Sequence, residues 1–456
     1  MTKKLSEYNA KRNFNKTKEP KGKLAKSSKR LRFCVQHHIA HKDHYDFRLE
    51  YEGILLSWAV PKGPSYNPKD KRLAIHVEDH PLSYRTFEGN IPEANYGAGS
   101  VMLWDYGFYE PLNNLKSSYQ KGNFKFILYG KRLRGRWTLV KLKANNWLLI
   151  KENDNLKLYT DINEFATSIK TGRTMEDIKN NAPIKDKNRP IIIEGVTITN
   201  PNKIIFPKSK ITKLDIIIYY KSIWQLMSPK IKNRLLSVVR APSGINKEPF
   251  FKKHLENRNK GLGTKKITSA SHKEDYYYIK DITGLINELQ MNSFEFHIWG
   301  STIDSLNNPD LMVFDLDPDT NLSLKKVREG VKDLKNILDE LNLNSTLKTS
   351  GGKGYHICVN FNNQVSWSKF KSIAHNIAKL METKWPDKYT TNMSKEKRKN
   401  KIFIDYLRNS KGATSVAPYS LRLRDNASIS FPIPWNLLDK IKPNEITIKN
   451  YQKYVK

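Results

Sequence analysis

The sequence predicts a two-domain α+β chain, with a β-barrel-like N-terminal domain followed by an α/β domain. Three observations carry this. The chain has 456 residues, more than the ~250 to 300 that one hydrophobic core organises. Its texture changes near residue 190, from short β-rich runs broken by Gly and Pro to helical stretches that alternate with apolar strands. A Lys, Asn and Pro cluster, NNAPIKDKNRP, marks the joint.

Residues 1–30 hold eleven Lys or Arg against two Glu and almost no large apolar side chains. Such a composition cannot bury enough surface to order itself, which predicts a flexible basic arm. Residues 31–152 carry RFCVQHH, HYDFRLEYEGILLSWAV, RLAIHVE, SVMLWDYGFYE, RWTLVKLK and NWLLIKE, the pattern of an antiparallel sheet or barrel. Residues 153–190 read as a linker with one helix near Ile162 to Ile169. Residues 191–456 form the second domain. There KLDIIIYYKSIWQLM and LKKVREGVKDLKNILDEL are helical, while LMVFDLD, YHICVNF and KIFIDYL are strands.

Eighty Lys and Arg against 45 Asp and Glu give a formal charge of +35, a field that attracts polyanions and makes nucleic acid the first partner to consider. No apolar run approaches the ~20 residues that span a bilayer, so no membrane partner is expected. The N-terminus, MTKKLSEYNAKRNF, lacks the apolar core of a secretory signal, which predicts a cytoplasmic, nucleoid-associated protein. Cys34 and Cys358 are the only cysteines. They lie far apart in sequence and read as reduced structural thiols.

In HYDFRLEY, His44, Asp46 and Arg48 occupy every second position, so a strand places them on one face and Tyr45, Phe47 and Leu49 on the other. With His38 from the preceding strand, His44 and Asp46 form a two-imidazole, one-carboxylate set suited to Mn²⁺ or a similar ion. Arg48 offers a planar donor fork to a phosphate, and His80 and Tyr84 in VEDHPLSY add an imidazole and a phenol. These are the parts of a phosphate-ester hydrolase. A polar loop without metal is the alternative, because an HxD triplet recurs by chance.

The stretch QHHIAHKDHYDFRLEYEGILLSWAVPKGPS, with KRLAIHVEDHPLSYRTFEGNIPEANYGAGSVMLWDYG after it, closely resembles the 3′-phosphoesterase domain of bacterial DNA ligase D, over about residues 5 to 152. The resemblance implies that His38, His44 and Asp46 bind the metal and that Arg48, His80 and Tyr84 hold the scissile phosphate. It also places Gln36, Lys62, Arg72 and Glu78 at the family's site. Near the N-terminus the family uses an Arg-acidic pair and a later Glu to help remove a terminal ribonucleoside. Here the matching residues are Arg12, Asn13 and Glu19. An amide at 13 cannot supply the carboxylate's charge, so 3′-phosphate removal is expected more firmly than 3′-ribonucleotide removal.

In LMVFDLDPD, Asp315 and Asp317 share one face of a strand that Pro318 ends. Carboxylates at i and i+2 can hold two Mg²⁺ or Mn²⁺ ions for an in-line displacement. Asp405, in KIFIDYLRN, is the expected third carboxylate, with a plain ion pair to Arg408 as the alternative. Between them, LKTSGGKGYHICV carries Gly351, Gly352 and Gly354, which let backbone amides approach a polyphosphate. A hairpin turn is the alternative for such a run.

The order DLDPD, KTSGGKGYH, IFIDYLRN, ATSVAPYSLRLR closely resembles the polymerase domain of ligase D, a relative of archaeal and eukaryotic primases, over roughly residues 195 to 440. That implies Asp315, Asp317 and Asp405 as metal ligands, with His297, Ser350, His356, Arg408, Arg422 and Arg424 around an incoming NTP or dNTP. Lys203 and Lys213 match the family's pocket for the 5′-phosphate of a broken end; solvated surface lysines are the alternative. Phe250 and Phe251 could stack on template bases, since aromatic faces accept any base, or belong to the core.

A 3′-phosphoesterase exposes the hydroxyl that a polymerase extends, so the two resemblances together imply end processing in non-homologous end joining. They also imply a preference for ribonucleotides, DNA with double-strand breaks or gaps as substrate, and a Ku-type end-binding partner. No Lys-x-Asp-Gly motif occurs, so a separate ATP-dependent ligase is expected to seal the ends. Two rivals remain: a non-enzymatic DNA end-bridging protein that uses only its charge, and a first domain that acts as a general nuclease.

Overall fold

The computed structural model describes residues 5–27, 30–93, 95–154, 162, 165–184, 190–255, 259–268, 273–361, 365–394 and 396–455. The chain divides into two compact units, one of Met1–Ile192 with Ile198–Asn202 and the last two residues, the other of Ile193–Thr197 with Lys203–Tyr454. None of the helices among the described residues is long and apolar enough to cross a membrane.

The first unit is built on nine antiparallel strands. They are β1 (Arg32–Ile39), β2 (Asp43–Tyr51), β3 (Ile54–Val60), β4 (Lys71–Pro81), β5 (Gly89–Ile91), β6 (Gly99–Pro111), β7 (Asn123–Gly130), β8 (Arg134–Lys141) and β9 (Asn146–Lys151). They pair in the order β1-β2-β3-β4-β9-β8-β7-β6-β5, and a further β1–β6 pairing closes eight of them into a barrel. Closure removes the unpaired edges that an open sheet would expose. Phe47 on β2 and Phe126 on β7 belong to strands that are not neighbours, yet their rings lie 6.0 Å apart. The face carrying Phe33, Phe47 and Leu49 therefore lines the interior. Its alternate, with Gln36, Asp46 and Arg48, points outward. The alternation of HYDFRLEY thus separates chemistry from core as expected. β5 and β7 add to the strands expected from sequence; β7 sends Phe124, Phe126 and Leu128, all fully buried, inward.

Two expectations are corrected in this unit. Over its described residues the N-terminal arm is packed: Leu5 and Tyr8 are buried in the barrel's core cluster. Ala25 donates to Gly53 O at 3.2 Å, and Gly53 (φ +81°) has no room for a side chain, because a Cβ would meet Ala25 O. A few well-placed apolar groups anchor a segment whose average composition suggests disorder. The linker expected over 153–190 is likewise part of the unit where it is described. Phe165 and Ile178 are buried in the same cluster, and Glu88 binds Ser168, Thr171 and Arg173. The helix expected near Ile162 to Ile169 falls partly outside the described residues. Thr167 instead makes a β-bridge with Thr174, and Thr174 caps a helix at Met175–Lys179 through a capping box.

The second unit holds two mixed α/β layers. Its larger sheet runs Tyr389–Thr390, Ile402–Asp405, Leu311–Pro318, Tyr355–Asn360, Ser345–Thr349, Pro432–Ile433. Helices Leu324–Glu340 and Trp367–Lys384 accompany it, each starting from a serine N-cap, Ser323 and Ser366. The smaller sheet runs Phe250–Lys252, Arg234–Arg240, Ser293–Thr302, Thr414–Val416. Helices Lys213–Ile231 and Ile282–Gln290 belong to this half. The helices and strands quoted from the sequence for this unit are all present.

Candidate active sites

On the barrel, strand register sets the first site. His38 faces His44 and Gln36 faces Asp46 across β1 and β2, while Arg48 faces Ser57 on β3. The ligand atoms of His38, His44 and Asp46 all lie within 4.8 Å of one another. His38 and His44 each approach Asp46 to 3.7 Å, and the two imidazoles stand 4.9 Å apart. Gly97 O fixes the other side of His38 by contact with Nε2 at 3.0 Å. Burial alone would raise the Asp46 carboxyl, but Arg48 and the two imidazoles outweigh it and hold the group well below the usual carboxylate range. One carboxylate and two imidazoles make the kind of donor set a borderline divalent cation takes.

Arg48 is buried and heavily bonded. It donates to Asp46 Oδ2 at 2.9 Å, Gln36 Oε1 at 2.9 Å and Ser57 Oγ at 2.7 Å. His80 lies beside it. His80 Nδ1 lies 2.9 Å from an Arg48 guanidinium nitrogen and 2.8 Å from Glu78 O, and its Nε2 lies 3.3 Å from Arg12. Burial and the two guanidiniums push the His80 imidazole well below its ordinary value, so the ring is neutral. Burial, then Glu19, pushes the Tyr84 phenol up, and it donates to Glu19 Oε1 at 3.1 Å.

The N-terminal segment completes this site. Arg12 pairs with Glu19 at 2.9 Å and with Glu78 at 3.2 Å, all three nearly buried. Its guanidinium sits 3.9 Å over the Tyr8 ring. Asn13 is exposed and accepts from the backbone of Asn15, so its amide serves a local turn. Gln36 holds Arg48 on one side and donates to Tyr84 O and Phe87 O on the other. Lys62 and Arg72 stand apart from the cluster, in a shallow pocket with Lys69 and Asp70. Arg72 pairs there with Asp70 at 2.9 Å.

In the second unit, Asp315 lies opposite Asp405 on one neighbouring strand and opposite His356 on the other. Asp317 is two residues along the same face. The three carboxylates do not draw as close as the His38 cluster, which stands alone in that respect among the described residues. Asp315 and Asp405 each lean on a cation or polar group instead. His356 Nε2 is 3.4 Å from Asp315, and Arg408 is 3.1 Å from Asp405. The Asp405–Arg408 ion pair weighed as an alternative is present. Burial, with Asp315 and Asp405 adding repulsion, raises Asp317. Like charges so placed favour binding of a counter-cation.

The glycine loop lies against this site. A Cβ on Gly354 would stand 2.9 Å from Leu316 O, between the two aspartates of the strand. Gly351 has φ +67° and touches Arg422, and Gly352 lies under the Arg424 guanidinium. The Ser350 hydroxyl braces the loop, accepting from Gly352 N at 3.1 Å and donating to Gly354 O at 2.7 Å. His297 approaches from the smaller sheet and bonds Glu295 at 2.8 Å. Glu295 also receives Arg422 Nε at 2.9 Å and Leu423 N at 2.9 Å. His297, Ser350, His356, Arg408, Arg422 and Arg424 thus gather around the acidic strands.

Lys203 and Lys213 meet at the start of helix Lys213–Ile231. Lys203 reaches Pro242 O, and Lys213, 2 % exposed, donates to Gln290 O at 2.6 Å. Solvated surface lysine is therefore the wrong description of Lys213. Burial, with repulsion from Lys203, lowers its ammonium to about 8. Phe250 and Phe251 are 48 % and 63 % exposed, so they are a surface pair and not core. Two buried residues went unnoticed in the sequence, Glu295 and Lys348. Lys348 touches His356 Nδ1 at 2.9 Å. Lys348 stands in the KTSGGKGYH stretch but only strand pairing sets it against His356, and Glu295 lies in none of the quoted motifs.

Both units are similar to known proteins. Residues 212–456 match the family model of the ligase D primase-polymerase domain, and residues 36–141 that of the DNA ligase D 3′-phosphoesterase domain. The chain is 22% identical over 795 aligned positions to the multifunctional non-homologous end joining protein LigD of Pseudomonas aeruginosa, covering 97% of this chain and 94% of that one. It is 32% identical over 246 residues to the protein of the same name from Mycolicibacterium smegmatis, covering 53% of this chain and 32% of that one. A 149-residue match to the Mycobacterium tuberculosis LigD is 40% identical and covers 32% of this chain but 19% of that one. The chain thus spans a third or less of the two mycobacterial relatives. The solved polymerase domain of M. tuberculosis ligase D, in complex with DNA, superimposes with a TM-score of 0.53 at 27% identity, over 57% of this chain and 93% of that one.

Proposed function

Because the chain belongs to the DNA ligase D family, we propose that it processes broken DNA ends at two separate sites, removing 3′-phosphates at one and adding nucleotides at the other. The observation that supports this most directly is the His38–His44–Asp46 cluster set beside the Arg48 guanidinium, in a chain that also carries paired acidic strands. At the first site, His38, His44 and Asp46 would hold Mn²⁺ or a similar ion, which supplies a Lewis acid to the phosphate and an activated water. Arg48 and Tyr84 present donors where charge develops on the phosphate oxygens, with the neutral His80 ring beside them to hold the phosphate's place. Arg48 would exchange part of its present bonding for the phosphate. Lys62 and Arg72 would guide the flanking strand. Exposed Asn13 fits phosphatase-type action better than ribonucleotide removal.

At the second site, Mg²⁺ or Mn²⁺ ions on Asp315, Asp317 and Asp405 would neutralise the attacking 3′-oxygen and the leaving pyrophosphate. His297, Ser350, His356, Arg408, Arg422 and Arg424 would cradle an NTP or dNTP, with ribonucleotides preferred. Lys203 and Lys213 would take the 5′-phosphate of the gap, and exposed Phe250 and Phe251 would stack on template bases. A Ku-type end-binding protein and a separate ATP-dependent ligase complete the reaction, near the nucleoid.

Substitutions separate the sites. Asp315→Ala or Asp405→Ala lowers nucleotide addition on a gapped duplex by at least about 100-fold and leaves 3′-phosphate removal intact. His38→Ala or Asp46→Ala does the reverse. Loss of both activities from one substitution, in protein that unfolds at the normal temperature, would refute the two-site reading.

A further inference from the structure

Lys348 and His356 face each other across strands Ser345–Thr349 and Tyr355–Asn360. Lys348 is buried. Its ammonium lies 2.9 Å from His356 Nδ1, 3.0 Å from Val416 O and 2.8 Å from Ser430 Oγ. An ammonium has three donors and no acceptor, so these three partners use all of it. Ser430 Oγ gives its own proton to Thr349 O at 3.0 Å and is thus free to accept from Lys348. His356 Nδ1 must accept too. The neutral ring then carries its proton on Nε2, the nitrogen 3.4 Å from Asp315 Oδ2.

We propose that Lys348 is a positioning residue of the polymerase site, locking His356 in the Nε2–H tautomer so that the imidazole meets the acidic strands as a hydrogen-bond donor and not as a metal ligand. The functional part of this inference rests on reading the acidic strands as a nucleotidyl-transfer site. A protonated nitrogen has no lone pair for a cation, so His356 donates to an anion, either the Asp315 carboxylate or a phosphate oxygen of the nucleotide. Lys348 does this without touching either. Positioning contacts one shell behind a site commonly carry roughly 10- to 100-fold in activity.

The tautomer can be read directly. In the full chain labelled with ¹⁵N-histidine, a two-bond ¹H–¹⁵N correlation spectrum, with His356 assigned from His356→Gln, shows a protonated Nε2 and a lone-pair Nδ1. Lys348→Met removes the donors at nearly constant volume. It shifts His356 toward the Nδ1–H or mixed pattern and lowers kcat/KM for the nucleotide roughly tenfold or more, with 3′-phosphate removal unchanged. Ser430→Ala disturbs the same buried cluster but leaves the Lys348 contact to Nδ1, so it keeps the tautomer and most of the activity. An Nδ1–H ring in the unsubstituted chain overturns the inference, even if Lys348→Met fails to fold. So does an unaltered His356 spectrum in Lys348→Met, or an equal loss of nucleotide addition in Ser430→Ala. The spectrum needs no nucleotide. If the unsubstituted chain adds none, the polymerase reading fails while the tautomer is still decided.

Discussion

Lys213 shows what a single residue gains from its place in the fold. It opens helix Lys213–Ile231, is almost fully buried, and sits near Lys203. Burial and that neighbour disfavour its charge, lowering the folded value to about 8. Below about 8 the ammonium is charged, against burial and the repulsion of Lys203. A 5′-phosphate relieves that cost, so binding and protonation reinforce each other. The expected result is that preference for a 5′-phosphate over a 5′-hydroxyl end is flat near neutrality and falls as pH rises above about 8. Lys213→Met abolishes both the preference and its slope. Competition binding with the two end types measures this, and a preference that persists unchanged into the alkaline range would contradict it. The sequence carried the identity of Lys213 but not its environment. The same limit hid Glu295 and Lys348, whose partners lie up to 128 residues away. By contrast, His44, Asp46 and Arg48 were legible because period-two spacing on one strand is local.

At the scale of elements, strands with strict alternation were readable, and segments whose order depends on distant partners were not. The N-terminal segment is the sharpest case. Its lysines suggest an arm, yet Tyr8 is fully buried, and Arg12 and Glu19 close over His80 and Tyr84. Only a few anchors are needed when the surface that receives them is already formed by β1 to β4. The barrel offers an outward polar face that would otherwise leave Arg48 and His80 to water. Deleting residues 1–27 should therefore do two things. It lowers the stability of the barrel by at least about 3 kcal/mol, the cost of removing one buried aromatic from a core, and it abolishes 3′-phosphate removal. Nucleotide addition continues, because its residues lie in the other unit. Chemical denaturation followed by 3′-phosphate release tests the first effect. A deleted chain that keeps both stability and phosphate removal would restore the picture of a free arm.

For the whole molecule, the question is whether these 456 residues can also seal the ends they prepare. ATP-dependent ligation needs a lysine nucleophile that carries AMP, and a lysine becomes nucleophilic near neutral pH when its ammonium is destabilised. The fold does contain such lysines. Lys213 and Lys348 are both lowered to about 8, chiefly by burial, and Lys151 is lowered as well. Each is committed elsewhere: Lys213 to Gln290, Lys348 to His356, Val416 and Ser430, and Lys151 to Asp154. None stands in a Lys-x-Asp-Gly motif, which the sequence lacks altogether. Depressed basicity here follows from packing and positioning and does not mark a nucleophile. The chain is therefore expected to form no adenylated protein and no joined product when incubated with radiolabelled ATP and a nicked duplex, while it still extends a 3′-hydroxyl in the same tube. Label retained on the protein after denaturing electrophoresis would identify a nucleophile outside the motif. Lys213→Met and Lys348→Met would then show whether either of those two lysines carries the adduct.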